Sequence, residues 1–205
     1  LSEAAELREK EPDNPEFEML YANENLAVGN FDAAMLIYEA LLSSMPNNPG
    51  INLTYGHALK TVGRQDDAIS AYRRAYQVRP DCGDAYWSLA NLKTYRFDDA
   101  EIAQMRERQA SAMTALEDRY HLCFALGKAL EDRGDYGASF EYYELGNRLK
   151  REELKYNPAR LTNEMRLQRE LVSTDLLNRF SGAGCPAPDP IFIVGLPRAG
   201  STLLE

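Results

Sequence analysis

The interval from Gly29 to Gly63 recurs from Ala34 to Ala68, from Tyr38 to Tyr72, and from Pro46 to Pro80. Pro12 precedes Pro46 by that interval too. A unit of this length, about 34 residues, cannot bury an apolar face alone, so a chain built on such a period must stack its units, each against its neighbours. Within each unit the glycine follows one apolar-periodic stretch and precedes another, where a left-handed residue ends a helix. The alanine is small where two helices would cross closely, and the tyrosine follows one turn later on the same face. The proline closes the second stretch. The period therefore predicts helix–turn–helix pairs and a mainly α architecture.

Two further units depart from strict spacing. The third begins near Gly83, with "DAYWSLANLKTYRF" as its first helix and Tyr86, Leu89 and Ala90 on the packing stripe. Phe97 occupies the expected turn-glycine position, and Asp98 with Glu101 three residues on reads as a capping box opening "DDAEIAQMRERQAS". The fourth unit returns to the pattern at Gly127, Gly134, Ser139 and Tyr143. Gly134 falls three residues later than two full periods after Gly63 would place it, which assigns the additional residues to the third unit's second helix or the loop after it. Leu1 to Pro12 fits the tail of an upstream unit, so the chain is expected to belong to something longer. The predicted boundaries are a partial repeat over 1–14, repeats over about 15–48, 49–82, 83–119 and 120–152, a helical linker over 153–190, and a new domain from 191.

The order of small, Gly, Ala, aromatic and Pro positions at this period resembles the tetratricopeptide repeat. That resemblance implies an α-solenoid, a right-handed superhelix whose inner wall comes from the first helix of each pair. The wall is then Met19 and Asn23, Leu53, His57 and Lys60, Trp87, Asn91 and Tyr95, and Phe124 and Lys128. A mixed polar and aromatic groove suits an extended peptide or a partner helix. Some tetratricopeptide domains clamp a terminal carboxylate with a lysine where this chain has Met19, so such a clamp is not supported. Trp87 also has a plainer reading, as packing between units. His57 reads as a groove hydrogen-bonder and His121 as a surface residue at a helix start.

Charge and composition narrow the partners. A net charge of −9 and a pI near 4.9 disfavour association with nucleic acid. A 44% hydrophobic content supports a packed core, and no apolar run approaches the roughly 18–20 residues of a membrane span. Cys82, Cys123 and Cys185 are too scattered for a disulfide framework or a metal knuckle, and read as two core residues and one loop thiol. They suit a reducing compartment such as the cytoplasm, with an upstream targeting segment left open. Two histidines without an H-x-x-x-H pair give no metal site.

The closing stretch carries different chemistry. After Asn147 the chain becomes charged and Pro158 breaks it; Leu161 to Phe180 reads as helical, and "SGAGCPAPDP" marks a domain edge. "IFIVGLPRAGSTLLE" then reads as a buried strand at Ile191 to Val194, a loop, and a first helical turn. Gly195, Gly200 and Thr202 have phosphate-loop spacing, but Ser201 stands in the lysine position and the cation is Arg198. Pro-Arg-x-Gly-Ser-Thr after a hydrophobic strand is similar to the phosphosulfate loop of sulfotransferases, in particular tyrosylprotein sulfotransferases and bacterial proteins joining tetratricopeptide repeats to a sulfotransferase domain. The resemblance implies a P-loop-like α/β domain, 3′-phosphoadenosine 5′-phosphosulfate as co-substrate and sulfuryl transfer to a hydroxyl acceptor. Arg198 would then bind the phosphosulfate and stabilise charge in transfer, with Ala199, Gly200, Ser201, Thr202 and Leu203 cradling phosphate. The general base and the 3′-phosphate site would lie beyond Glu205. Two other readings stand beside this one: a non-enzymatic repeat scaffold and, less well supported, a P-loop kinase or nucleotide hydrolase.

Overall fold

The computed structural model describes residues 1–183, apart from 13 and 156. Every regular element among them is helical: α1 (Ser2–Lys10), then α2 (Pro15–Ala27) with α3 (Phe31–Ser44), α4 (Pro49–Thr61) with α5 (Gln65–Val78), α6 (Gly83–Asn91) with α7 (Asp99–Ala110), and α8 (Leu116–Glu131) with α9 (Tyr136–Leu154). The starts follow from local chemistry. Asn14 and Asn48 accept from the N–H groups of Glu16 and Ile51, and Pro15 and Pro49 occupy the first helical position, where a missing N–H costs nothing. Gly29, Gly63 and Gly134 end first helices at φ of +83°, +81° and +78°, as the period predicts.

Packing is sequential. α2 lies on α3, α4 on α5 and α8 on α9, and α3, α5 and α7 pack on the first helices of the following pairs; in the third pair α6 packs chiefly on α5 and α8 rather than on α7. One apolar core runs from Ala22 to Ala129 through Tyr38, Leu59, Tyr72, Tyr86 and Leu126. The close crossing of α4 and α5 explains Gly56: a Cβ there would sit 2.5–3.1 Å from the ring of fully buried Tyr72. Gly127 meets Tyr143 in the same way and at the same sequence offset.

The third and fourth pairs correct the expected register. α6 stops at Asn91, and the left-handed residue is Lys93 (φ 62°), not the residue at 97. Phe97 is buried instead, its ring 5.0 Å from Tyr95 and 6.4 Å from Tyr86. The connector therefore turns early and then folds an aromatic ring back into the core. Asp98 and Glu101 do form a capping box at α7. The additional residues fall neither in α7 nor in the loop after it. Gly56 lies seven residues into α4 from Pro49, whereas Gly127 lies eleven from Leu116, so α8 carries a whole additional turn at its start. That turn supplies Asp118. Its Oδ1 accepts from the Gly83 N–H at 2.9 Å and from Arg79 Nη2 at 3.1 Å, tying α8 to the start of α6.

The chain divides after residue 156 into a second unit. There, Asn157 caps α10 (Pro158–Leu171), so the helix break expected at Pro158 is present and the proline opens the next helix. The stretch expected to be helical over Leu161 to Phe180 is helical in two pieces, because Ser173 caps a separate α11 (Thr174–Arg179). The predicted strand at Ile191 to Val194, the loop residues Arg198, Ala199, Gly200, Ser201, Thr202 and Leu203, and Cys185 lie outside the described residues.

Candidate protein-interaction groove

The first helices repeat two positions in register. Met19, Leu53 and Trp87 are one period apart, and Phe124 follows three residues beyond the next period, matching the lengthened α8. All four are half-buried, so each lends one side to the core and leaves the other open. Four residues on, one turn along the same face, come Asn23, His57, Asn91 and Lys128. Contacts between pairs run along this face. Thr54 Oγ1 lies 3.9 Å from Met19 Sδ, His57 Nε2 lies 3.9 Å from Asp84 Oδ2, and the Trp87 and Phe124 rings are 5.4 Å apart. The result is an apolar stripe beside a polar one. Lys60 is exposed in the last turn of α4. Lys128 is already matched by Asp132 and by Glu131 at 3.5 Å.

One wall residue needs correction. Tyr95 is not on a first helix, because α6 has ended; it sits in the connector and donates its hydroxyl to Glu101. Buried Glu101 also accepts from Tyr76 at 2.6 Å, so Tyr95 belongs to an internal network that closes the third pair.

Second-helix tyrosines hold the groove side chains from behind. Tyr38 donates to Asn23 Oδ1 at 2.5 Å, and the Tyr72 hydroxyl lies 2.9 Å from His57 Nδ1. Burial pushes both phenols up to about 12, so they remain protonated donors at any working pH. The bond to Tyr72 uses Nδ1 and leaves Nε2 facing Asp84. Asp84 accepts from Ser88 Oγ at 3.2 Å, and His57 beside it holds its carboxyl below the usual range against the opposing effect of burial. His121 is not a surface residue at a helix start. It is half-buried in the second turn of α8, its ring 4.5 Å from that of Tyr120, and burial pushes its imidazole below the ordinary value despite the carboxylate of Asp84. Its Nδ1 has no hydrogen-bond partner among the described residues. Sequence reasoning passes over Asp84 and misplaces His121 although the signal is present: each lies three residues before Trp87 or Phe124, on the same helix face.

A cleft of about 740 Å³ lies off this face, lined by Phe31, Asp32, Met35, Leu36, Glu39 and the α4–α5 turn. Its cation, Arg64, is held by Asp67 at 2.8 Å and Glu39 at 3.9 Å, so the cleft offers shape and apolar surface but little unspent polar chemistry. Cys82 and Cys123 are buried free thiols, and burial raises the latter to about 11. Among the described residues there is no cluster of His, Cys, Asp and Glu able to hold a metal, and no helix long and apolar enough to cross a membrane.

Residues 25–92 and 120–153 each match the family described as tetratricopeptide repeat. The chain carries tetratricopeptide repeats. This repeat chain is 28% identical over 174 residues to an uncharacterized protein of Aquifex aeolicus (strain VF5). The match takes in 85% of the chain but only about a fifth (22%) of the relative's length. Among solved structures, the crystal structure of MamA aligns with a TM-score of 0.51 at 16% identity, over 75% of this chain and 88% of that one. BtubC (BKLC) from P. vanneervenii aligns at 0.50 and 17% identity, over 70% and 66%. At these identities the likeness establishes the tetratricopeptide-repeat solenoid fold and nothing about ligands.

Proposed function

We propose that the repeat region is a protein-interaction module whose first-helix face takes an extended segment of a partner. The observation that carries this reading is the doubled stripe: Met19, Leu53, Trp87 and Phe124 open on one side, with Asn23, His57 and Asn91 a turn away. An extended peptide presents side chains alternately, so an apolar ladder beside polar groups can seat side chains and satisfy backbone groups together. The −9 net charge favours a partner that is not itself acidic. The free thiols of Cys82 and Cys123 suit a reducing compartment, and we propose a cytoplasmic location on that ground. Peptides selected from a random library against the chain should perturb the fluorescence of Trp87, the single tryptophan, and lose at least tenfold in affinity against Leu53→Arg. Selected peptides that bind Leu53→Arg equally well and leave Trp87 silent would place binding elsewhere and overturn the reading.

A second reading concerns the larger protein, and its support is the sequence Pro197-Arg198-Ala199-Gly200-Ser201-Thr202 after an apolar run. We propose that this segment binds the phosphosulfate of 3′-phosphoadenosine 5′-phosphosulfate, without a metal, in a sulfotransferase whose acceptor the repeats help to recruit. Titration of the full-length protein with adenosine 3′,5′-bisphosphate tests this directly. Binding that Arg198→Ala abolishes supports it; binding indifferent to that change, or no binding, refutes it.

A further inference from the structure

The middle of the face holds a constellation that no repeat requires. Asp84 lies in the first turn of α6 with about a third of its side chain exposed, 38%. No Lys or Arg pairs with it among the described residues; Ser88 donates to it, His57 stands 3.9 Å away, too distant for a hydrogen bond, and the imidazole of His121 on α8 also feels its charge. One turn along stands Trp87, half-open, its ring tilted 46° against that of Phe124. A carboxylate without a cationic partner beside an accessible indole is the pair of features that receives an organic cation. The carboxylate supplies the ion pair and the indole face the cation–π contact. Resting on the groove reading above, we infer that the groove's centre takes a basic side chain of the partner, an arginine guanidinium or a lysine ammonium, seated between Asp84 and Trp87.

Three observations support this occupant over others. The nearest groove cations do not compete: Lys128 is engaged by Asp132 and Glu131, and Lys60 lies in the last turn of α4, one turn beyond His57. His57 Nε2 stands 3.9 Å from Asp84 Oδ2, beyond hydrogen-bond reach, which keeps the carboxylate available. The chain as a whole is acidic, so approach of a basic segment is favoured at long range.

The test uses the peptides selected on the whole chain, each remade with its residue nearest Trp87 as Arg, Gln or Glu. Proximity is assigned by quenching of Trp87 from a bromine-bearing residue placed at successive peptide positions. The expected result is a preference of at least tenfold for Arg over Gln. Asp84→Asn should erase that preference and Asp84→Glu largely keep it, with unchanged helical circular dichroism in both variants. Peptides that quench Trp87 and lose affinity against Leu53→Arg, yet prefer Gln or Glu or ignore Asp84→Asn, overturn this inference and leave the groove reading standing. Peptides that neither touch Trp87 nor respond to Leu53→Arg sink both.

Discussion

Replacing Gly56 by Ala tests how tightly the repeat core is set. In an open helix the change should stabilise by about 0.8–1 kcal/mol, because glycine loses more backbone entropy. Here the new Cβ would lie 2.5 Å from Tyr72 Cε1 and 2.7 Å from Cδ1, where ordinary carbon contacts are about 3.5–4 Å. The ring must retreat by roughly 1 Å, yet it is fully buried and its hydroxyl is tied to His57 on α4 itself. Retreat therefore either parts α4 from α5 or breaks that bond. Overpacking of this kind costs about 1–3 kcal/mol and a lost hydrogen bond about 0.5–1.5 kcal/mol. After subtracting the propensity gain, Gly56→Ala should lose about 2 kcal/mol, lowering the thermal midpoint by about 4–8 °C for a chain of this size. Gly137→Ala is the control, since its nearest neighbour would be Asp135 Oδ1 at 4.0 Å. Melting followed by far-ultraviolet circular dichroism decides. A Gly56→Ala midpoint at or above the parent's, moving with Gly137→Ala, would show that the Tyr72 contact sets no limit and refute the packing argument.

Asp118→Ala should cost about 1–3 kcal/mol in urea unfolding, because the Gly83 N–H and Arg79 lose their shared acceptor in a buried place; an unchanged midpoint would deny the additional turn of α8 its role as a tie. Lys93→Gly should raise the thermal midpoint by an amount worth about 1 kcal/mol, since a non-glycine residue at φ 62° carries strain that glycine does not. Because burial holds His121 below its ordinary value of 6.5, the unfolded chain takes up that proton more readily; the stabilisation is present above about pH 6.5 and is lost as pH falls below it. Midpoints measured from about pH 7.5 down to about 5.5 should decline, and less so in His121→Gln.

Periodicity made the regular parts legible. Asn14 and Asn48 with Pro15 and Pro49, and the glycines at 29, 63 and 134, are local signals whose chemistry does not depend on the rest of the fold. Register failed where tertiary packing overrode the period. Phe97 fell on a turn-glycine position, and only burial against Tyr86 and Tyr95 reveals why the turn moved to Lys93. The length anomaly at Gly134 was visible, but its place was not, because the reason for a longer α8 is a carboxylate far along the chain from the Gly83 amide it accepts. The groove stripes were read at nine of ten positions on first helices; Tyr95 was lost to the early end of α6. Asp84 goes unread and His121 is read as a surface group because each polar residue is weighed singly in sequence, whereas their meaning comes from three different helices.

That last point separates the third pair from the others. In the first, second and fourth pairs a tyrosine follows a small residue at one fixed offset, as Tyr38 after Ala22, Tyr72 after Gly56 and Tyr143 after Gly127. The first two bond Asn23 and His57, so one side chain both fills the core and aims the groove, and the groove geometry is fixed within the repeat. In the third pair the same offset from Ala90 falls on Arg106, which cannot take over that double role from within the core. Its groove residues instead meet the neighbouring pairs, Asp84 facing His57 of α4 at 3.9 Å and Trp87 packing on Phe124 of α8. Chemistry built between repeats depends on the spacing of the stack, while chemistry built within them does not. A perturbation that shifts one pair against the next, such as loss of the Asp118 tie, should therefore weaken binding at Trp87 more than it disturbs Asn23, and the two can be told apart by peptides anchored at either end of the stripe.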